Sequence, residues 1–227
     1  MPQWIKSEVR GLIYQALEPV VAPAAFRLQK KKDSFVRKID GGRQEIGVAL
    51  SDYNPLFRFS LTLCVRLEAV EAINNQSLDI AERYRDLTVS SLTQLEFLGL
   101  PAQPGAGVQW EAQSEAQLAD VLGSVATLVG ERVVPFFDQY RDLAALNRGL
   151  NPPGAENLRE LTWPPDRRAF DGSNPPYRLM TGVITAHLAG DPRLDALVTA
   201  YRSQAQSLPT HDRLKFEKLV AELTRGP

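Results

Sequence analysis

The most reactive side chain in the sequence is that of Cys64, the one cysteine among 227 residues. It stands two residues from Arg66 in an alternating run, so thiol and guanidinium share a strand face, and a nearby cation is one means of turning a thiol into a nucleophile. The opposing reading is a small buried hydrophobe, the usual role of a lone cysteine. His187 lies among Leu179, Met180, Val183 and Ile184 at helical spacing and reads as a core histidine. His211, beside Asp212, reads as part of the cap region of the last helix. One cysteine and two histidines are poor material for a transition-metal site. No Gly-x-x-x-x-Gly-Lys loop, Gly-x-Ser-x-Gly elbow, His-Glu-x-x-His or Cys-x-x-Cys is present. The sequence therefore assigns no catalytic residue, no cofactor and no metal.

Charge is the more informative chemistry. Between residues 27 and 43, Arg27, Lys30, Lys31, Lys32, Arg37, Lys38 and Arg43 face only Asp33 and Asp40, a local excess of five in a chain whose formal net charge is -1. Phe26 and Phe35 are interleaved and are expected to face the core. A basic hairpin of this kind can steer an acidic protein surface into contact or lie along a phosphate backbone. Lysines near a sheet edge also discourage edge-to-edge aggregation. A second candidate surface is the segment Asp166-Arg167-Arg168-Ala169-Phe170-Asp171-Gly172, in which Trp163 and Phe170 either pin a loop or serve as apolar anchors for a partner. The candidate binding residues are thus Lys30, Lys31, Lys32, Arg37, Lys38, Arg43, Trp163 and Phe170.

The elements that position these residues follow from periodicity. Ile5, Val9, Leu12, Ile13, Ala16 and Leu17 recur at helical steps, and Pro19 and Pro23 are expected to end that helix. Phe26 and Leu28, then Ser34 to Ile39, alternate as strands, and Asp40-Gly41-Gly42 supplies a tight turn into a partner strand over Gln44 to Leu50. From Phe57 to Leu67 large apolar residues alternate with polar ones, a strand with one buried face. Ala69 to Asn75 reads as a short helix, whereas Asp79 to Leu100 carries both helix and strand signals. Pro101 to Gly107 has loop composition, and an all-helical remainder is expected beyond it. There Ser114 and Gln117 form a capping-box signature and open a helix that Pro135 should bend or end. Leu143 to Leu150 is a short helix. Six prolines between residues 151 and 176 exclude regular structure over most of that stretch. Helices over Tyr177 to Ala189, from Leu194, and from Pro209 complete the chain.

The predicted fold class is α+β: an N-terminal helix packed on an antiparallel sheet of three or more strands, then a long helix and a helical C-terminal region. The expected units are a sheet domain over 1–110, the long helix over 111–150 packing on that sheet, a proline-rich loop over 151–176 and a helical subdomain over 177–227. A composition of 44% hydrophobic and 23% charged residues supports a buried core and excludes disorder throughout. No stretch reaches about 18 uncharged apolar residues, and the first ten residues lack a signal-peptide core, so a soluble cytoplasmic protein without membrane contact is expected.

The string FRLQKKKDSFVRKIDGGRQEIGVALSDYNPLFRFSLTLCVRLE, residues 26–68, resembles a bacterial domain of unknown function, the 4304 series. Phe26, Lys31, Lys32, Phe35, Arg37, Gln44, Ile46, Phe59 and Leu61 carry the resemblance, over roughly a fifth of the chain. It implies a small α+β intracellular protein without established catalytic residues, of the kind associated with interaction or toxin-immunity proteins. Three functional readings result. The first is a non-enzymatic binding protein whose basic hairpin meets an acidic surface on another protein. The second is a nucleic-acid-associated protein using the same hairpin, and the third is an enzyme whose site is assembled only in three dimensions. A sheet edge left open would also allow pairing with a second copy of the chain.

Overall fold

Only a strand can place six large apolar side chains on one face at every second residue. Strand β4 (Leu56–Leu67) does so, with Phe57, Phe59, Leu61, Leu63, Val65 and Leu67 buried. The computed structural model describes residues 5–53, 55–101, 103, 107–155 and 173–224. Strand β3 (Gly42–Tyr53) runs antiparallel to β4 over its whole length, from Gly42 opposite Leu67 to Tyr53 opposite Leu56. β2 (Ser34–Ile39) pairs with the first half of β3 through a turn in which Gly41 takes a φ of +64°, a conformation a side chain would strain. β1 (Arg27–Gln29) lies outside β2. On the far side of β4, β5 (Ser91–Thr93) pairs at Leu63 to Val65, and β6 (Trp110–Ala112) pairs at Phe57 to Phe59. Among the described residues these six strands form one wholly antiparallel sheet in the order β1-β2-β3-β4-β5, with β6 alongside β4.

Helix α1 (Lys6–Val21) buries Val9, Ile13, Tyr14, Leu17 and Val21. It runs through Pro19 instead of ending there. Pro19 and Gln15, whose carbonyl loses its donor to the proline, both lie on the solvent side, where water can take the missing hydrogen bond. β6 likewise departs from the all-helical remainder expected beyond residue 107. Three residues are too few to show a period, and pairing to β4 determines their conformation. Helix α4 (Glu115–Leu128) begins as expected at Ser114, whose hydroxyl accepts from the Gln117 N–H, while the Gln117 side chain accepts from the Gln113 N–H. It continues into a π turn at Val129–Val133 and then α5 (Val134–Gln139). The irregularity thus falls just before Pro135, whose ring would crowd, and whose nitrogen cannot serve, the carbonyl four residues back.

The remaining helices are α2 (Glu68–Ser77), α3 (Glu82–Arg85), α6 (Leu143–Leu150), α7 (Pro175–Leu188), α8 (Leu194–Ala205) and α9 (Thr210–Thr224). α7 starts two residues earlier than the sequence suggests, because Pro175 and Pro176 occupy the first turn, where no N–H is required, and Asn174 caps it. α7 packs against α2, α6, α8 and α9, and one continuous set of buried apolar side chains runs from Val9 in α1 to Val220 in α9. Among the described residues, no helix is long and apolar enough to cross a membrane.

Candidate functional site

Between β1 and β2 the chain makes a single 3-10 turn, Lys30–Lys32, closed by Asp33 in the left-handed region at φ +50°. Asp33 holds this turn in place. Its carboxylate accepts from the Tyr14 hydroxyl at 2.6 Å and lies 3.4 Å from Arg10, both on α1, while its carbonyl accepts from the Val48 N–H at 2.8 Å. Burial, and then the hydrogen bond to Asp33, raise the Tyr14 phenol well above its usual range. The three lysines are exposed, and among the described residues neither they nor Lys38 has a side-chain partner.

Arg37 is different. On β2 it falls in the core-facing row with Phe35 and Ile39, and it is 7 % exposed. Its guanidinium lies 4.8 Å from the centre of the Phe26 ring, donates from Nε to Gln44 Oε1 at 2.8 Å, and donates from Nη1 to Asp138 and to the Ala24 carbonyl. Gln44, fully buried, donates in turn to the carbonyls of Phe137 and Tyr140 at the end of α5. The Asp138 carboxyl sits below its usual range. Burial works against its charge but is outweighed by the hydrogen bonds from Arg141 and Arg37. Arg37 therefore does not belong to the basic surface. It is an internal strut tying the hairpin to α5, because strand alternation puts it on the side opposite Lys38.

Lys38, Arg43 and Arg66 form a row across the outer face of β2, β3 and β4. Like charges at neighbouring positions repel, and here the two arginines of the row are compensated. Arg66, 4 % exposed, makes a two-pronged pair with Glu68 at 2.8 and 2.7 Å, and donates to the carbonyls of Arg85 and Thr88. That pairing raises the Arg66 pKa and lowers that of Glu68. Arg43 donates to the Asp86 carbonyl and lies 3.8 to 3.9 Å from Glu68 and Glu45. The two arginines thereby dock the segment between α3 and β5 onto the outer face of the sheet.

The docked segment and the lysine turn enclose a trough of about 400 Å³. Its floor is Arg43 and Glu45 on β3, Cys64 on β4 and Leu92, opposite Cys64, on β5. One side carries Lys31 and Lys32, and the other carries Asp86, Leu87 and Val89. Leu87 is 63 % exposed, an unusual position for a leucine next to a cleft.

The structure thus brings Lys31, Lys32, Arg43 and Cys64 together, leaves Lys30 exposed in the same turn and Lys38 beside Arg43 on the outer face, and removes Arg37. Cys64 is half-buried on the trough floor between its ladder neighbours Glu45 on β3 and Leu92 on β5, and Arg66 is committed to Glu68 and backbone carbonyls. His187 is half-buried on α7 and His211 exposed on α9, and neither lines the trough. Trp163 and Phe170 lie outside the described residues. Among the described residues no group of three or more His, Cys, Asp or Glu side chains is arranged to hold a metal ion. Sequence reasoning missed Asp33, Glu45, Asp86, Leu87, Val89 and Leu92. Only Asp33 left a local signal, an aspartate directly after the lysine run, of the type that tolerates the left-handed region. No family model, curated protein or solved structure matches this chain.

Proposed function

We propose that the protein is a non-enzymatic binding module that works inside the cell and receives an acidic surface of another protein against its lysine turn. The observation that carries this reading is the fixed turn itself. Asp33 anchors it to α1 and to β3, and three exposed ammonium groups project from it without carboxylate partners among the described residues. Holding like charges together costs free energy, and an acidic partner recovers that cost while speeding encounter. Glu45, Glu68 and Asp86 interrupt the surrounding positive potential. Such a mixed surface suits discrete carboxylates better than a continuous phosphate backbone, which would meet those acids along its length.

The test compares tagged wild-type protein with the double reversal Lys31→Glu/Lys32→Glu, and with a control of equal charge change on α6 and α9, Arg148→Glu/Lys218→Glu. Each is used at low salt, with and without nuclease, to capture partners from its own cell extract. A stoichiometric, nuclease-resistant protein held by the wild type and the control but lost by the lysine variant is the expected result. Loss of all bound material on nuclease treatment would replace this reading with the nucleic-acid one.

A further inference from the structure

We infer that the occupant of the trough is a single extended polypeptide segment that presents acidic side chains to Lys31 and Lys32 on one side and large apolar side chains to Leu87, Val89 and Leu92 on the other. The inference rests on the binding-module reading above and makes its partner specific.

Three features of the trough lead to it. First, the walls differ in chemistry. The lysine wall offers two unpaired cations, whereas the opposite side offers Leu87, 63 % exposed, and Val89 beside Leu92 on the β5 edge of the floor, with Asp86 at its end. An acid seated on the far wall would meet Asp86, and an apolar group seated on the lysine wall would strip water from ammonium groups without replacing it. Only one orientation of a two-sided ligand satisfies both walls. Second, an extended segment directs successive side chains to opposite sides, matching the two unlike sides of the trough. Third, the outer face of the same β3–β4 ribbon continues beyond Glu45 and Cys64 as Gly47, Ala49, Thr62 and Ser60, none of them long enough to hold a backbone away from the sheet. The trough therefore opens onto a low floor along which the segment can run, with the ribbon setting its direction.

The experiment measures binding of two fluorescent hexapeptides to the full-length protein by polarisation: alternating Glu-Leu-Glu-Leu-Glu-Leu and hexaglutamate. Three proteins are compared: wild type, Leu87→Asp and Lys31→Glu/Lys32→Glu. All three substituted side chains are exposed, so each variant is expected to fold. The wild type should bind the alternating peptide at least about tenfold more tightly than hexaglutamate, the effect of burying a leucine or two. Leu87→Asp should abolish that preference, and the lysine reversal should abolish binding of both peptides. Saturating alternating peptide should also slow alkylation of Cys64 on the floor. Equal affinity for the two peptides, or Cys64 alkylated at an unchanged rate with peptide bound, would overturn the two-walled occupant while leaving a charge-driven binding module standing. Binding of neither peptide by the wild type would overturn both.

Discussion

If Arg37 is a strut and Lys31 and Lys32 form the surface, then removing Arg37 should cost stability while removing the lysines should not. Arg37→Met keeps an unbranched apolar stem over Phe26 but deletes the donors to Gln44, Asp138 and the Ala24 carbonyl. Gln44 cannot reorient to compensate, since its amide nitrogen already donates to the Phe137 and Tyr140 carbonyls at 2.6 and 2.8 Å. Its Oε1 is then stranded in a fully buried site, at a cost of about 1–3 kcal/mol. The ion pair adds less. Asp138 is 42 % exposed and retains Arg141, so its share is about 1 kcal/mol or below. The total is about 3 kcal/mol, which for a chain of this length lowers the melting temperature by roughly 6–12 °C. Urea unfolding followed by tryptophan fluorescence reads the loss directly. The Lys31→Glu/Lys32→Glu protein should unfold within about 0.5 kcal/mol of wild type. An Arg37→Met protein as stable as wild type, or a lysine variant destabilised as much as Arg37→Met, would refute this division between strut and surface.

Three further outcomes are expected. In Gly182→Ala the new methyl would lie 2.7 Å from the Tyr201 ring carbon that bears the hydroxyl, which both Arg178 and Asn151 hold in place, so the substitution should cost about 1–3 kcal/mol in chemical denaturation. The Asp191 carboxyl is held down to about 2, from an ordinary value of 3.8, by hydrogen bonds from Arg193 that outweigh its burial, aided by Asn147. Its folded value is depressed, so its contribution to stability is complete above pH 4 or so and fades as pH falls toward about 2. Asp191→Asn should therefore be less stable than wild type at neutral pH, and the gap should narrow across that window in acid-dependent unfolding. Asp33→Ala removes the anchor from Tyr14 and leaves alanine at φ +50°, so about 1–2 kcal/mol of stability should be lost together with affinity for an acidic peptide. An Asp33→Ala protein with undiminished affinity would show that the turn needs no anchoring.

The sheet was legible in the sequence because strand alternation is a local signal. The run from Phe57 to Leu67 could bury its apolar side in no other way, and Asp40-Gly41-Gly42 determined where β2 must reverse into β3. The helices from α6 onward were equally legible from their apolar stripes and caps. Short elements that depend on a neighbour left no such mark. β6 is three residues recruited by β4, and Pro19 is tolerated in α1 only because its turn faces solvent. The same limit applied to function. Seven basic residues between 27 and 43 could be counted in the sequence, yet the count could not show that Arg37 points into the core toward Gln44 and Asp138, or that Arg43 and Arg66 are occupied with Glu68 and the carbonyls of residues 85–88. Nor could it place Leu87, Val89 and Leu92 in one trough with Lys31 and Lys32, a juxtaposition made across more than fifty residues of chain by two arginines gripping a loop. Composition and periodicity decided that this protein has a basic hairpin on an antiparallel sheet. Packing decided which of those charges reach solvent and what stands beside them, because a side chain's surroundings depend on contacts that sequence order does not contain.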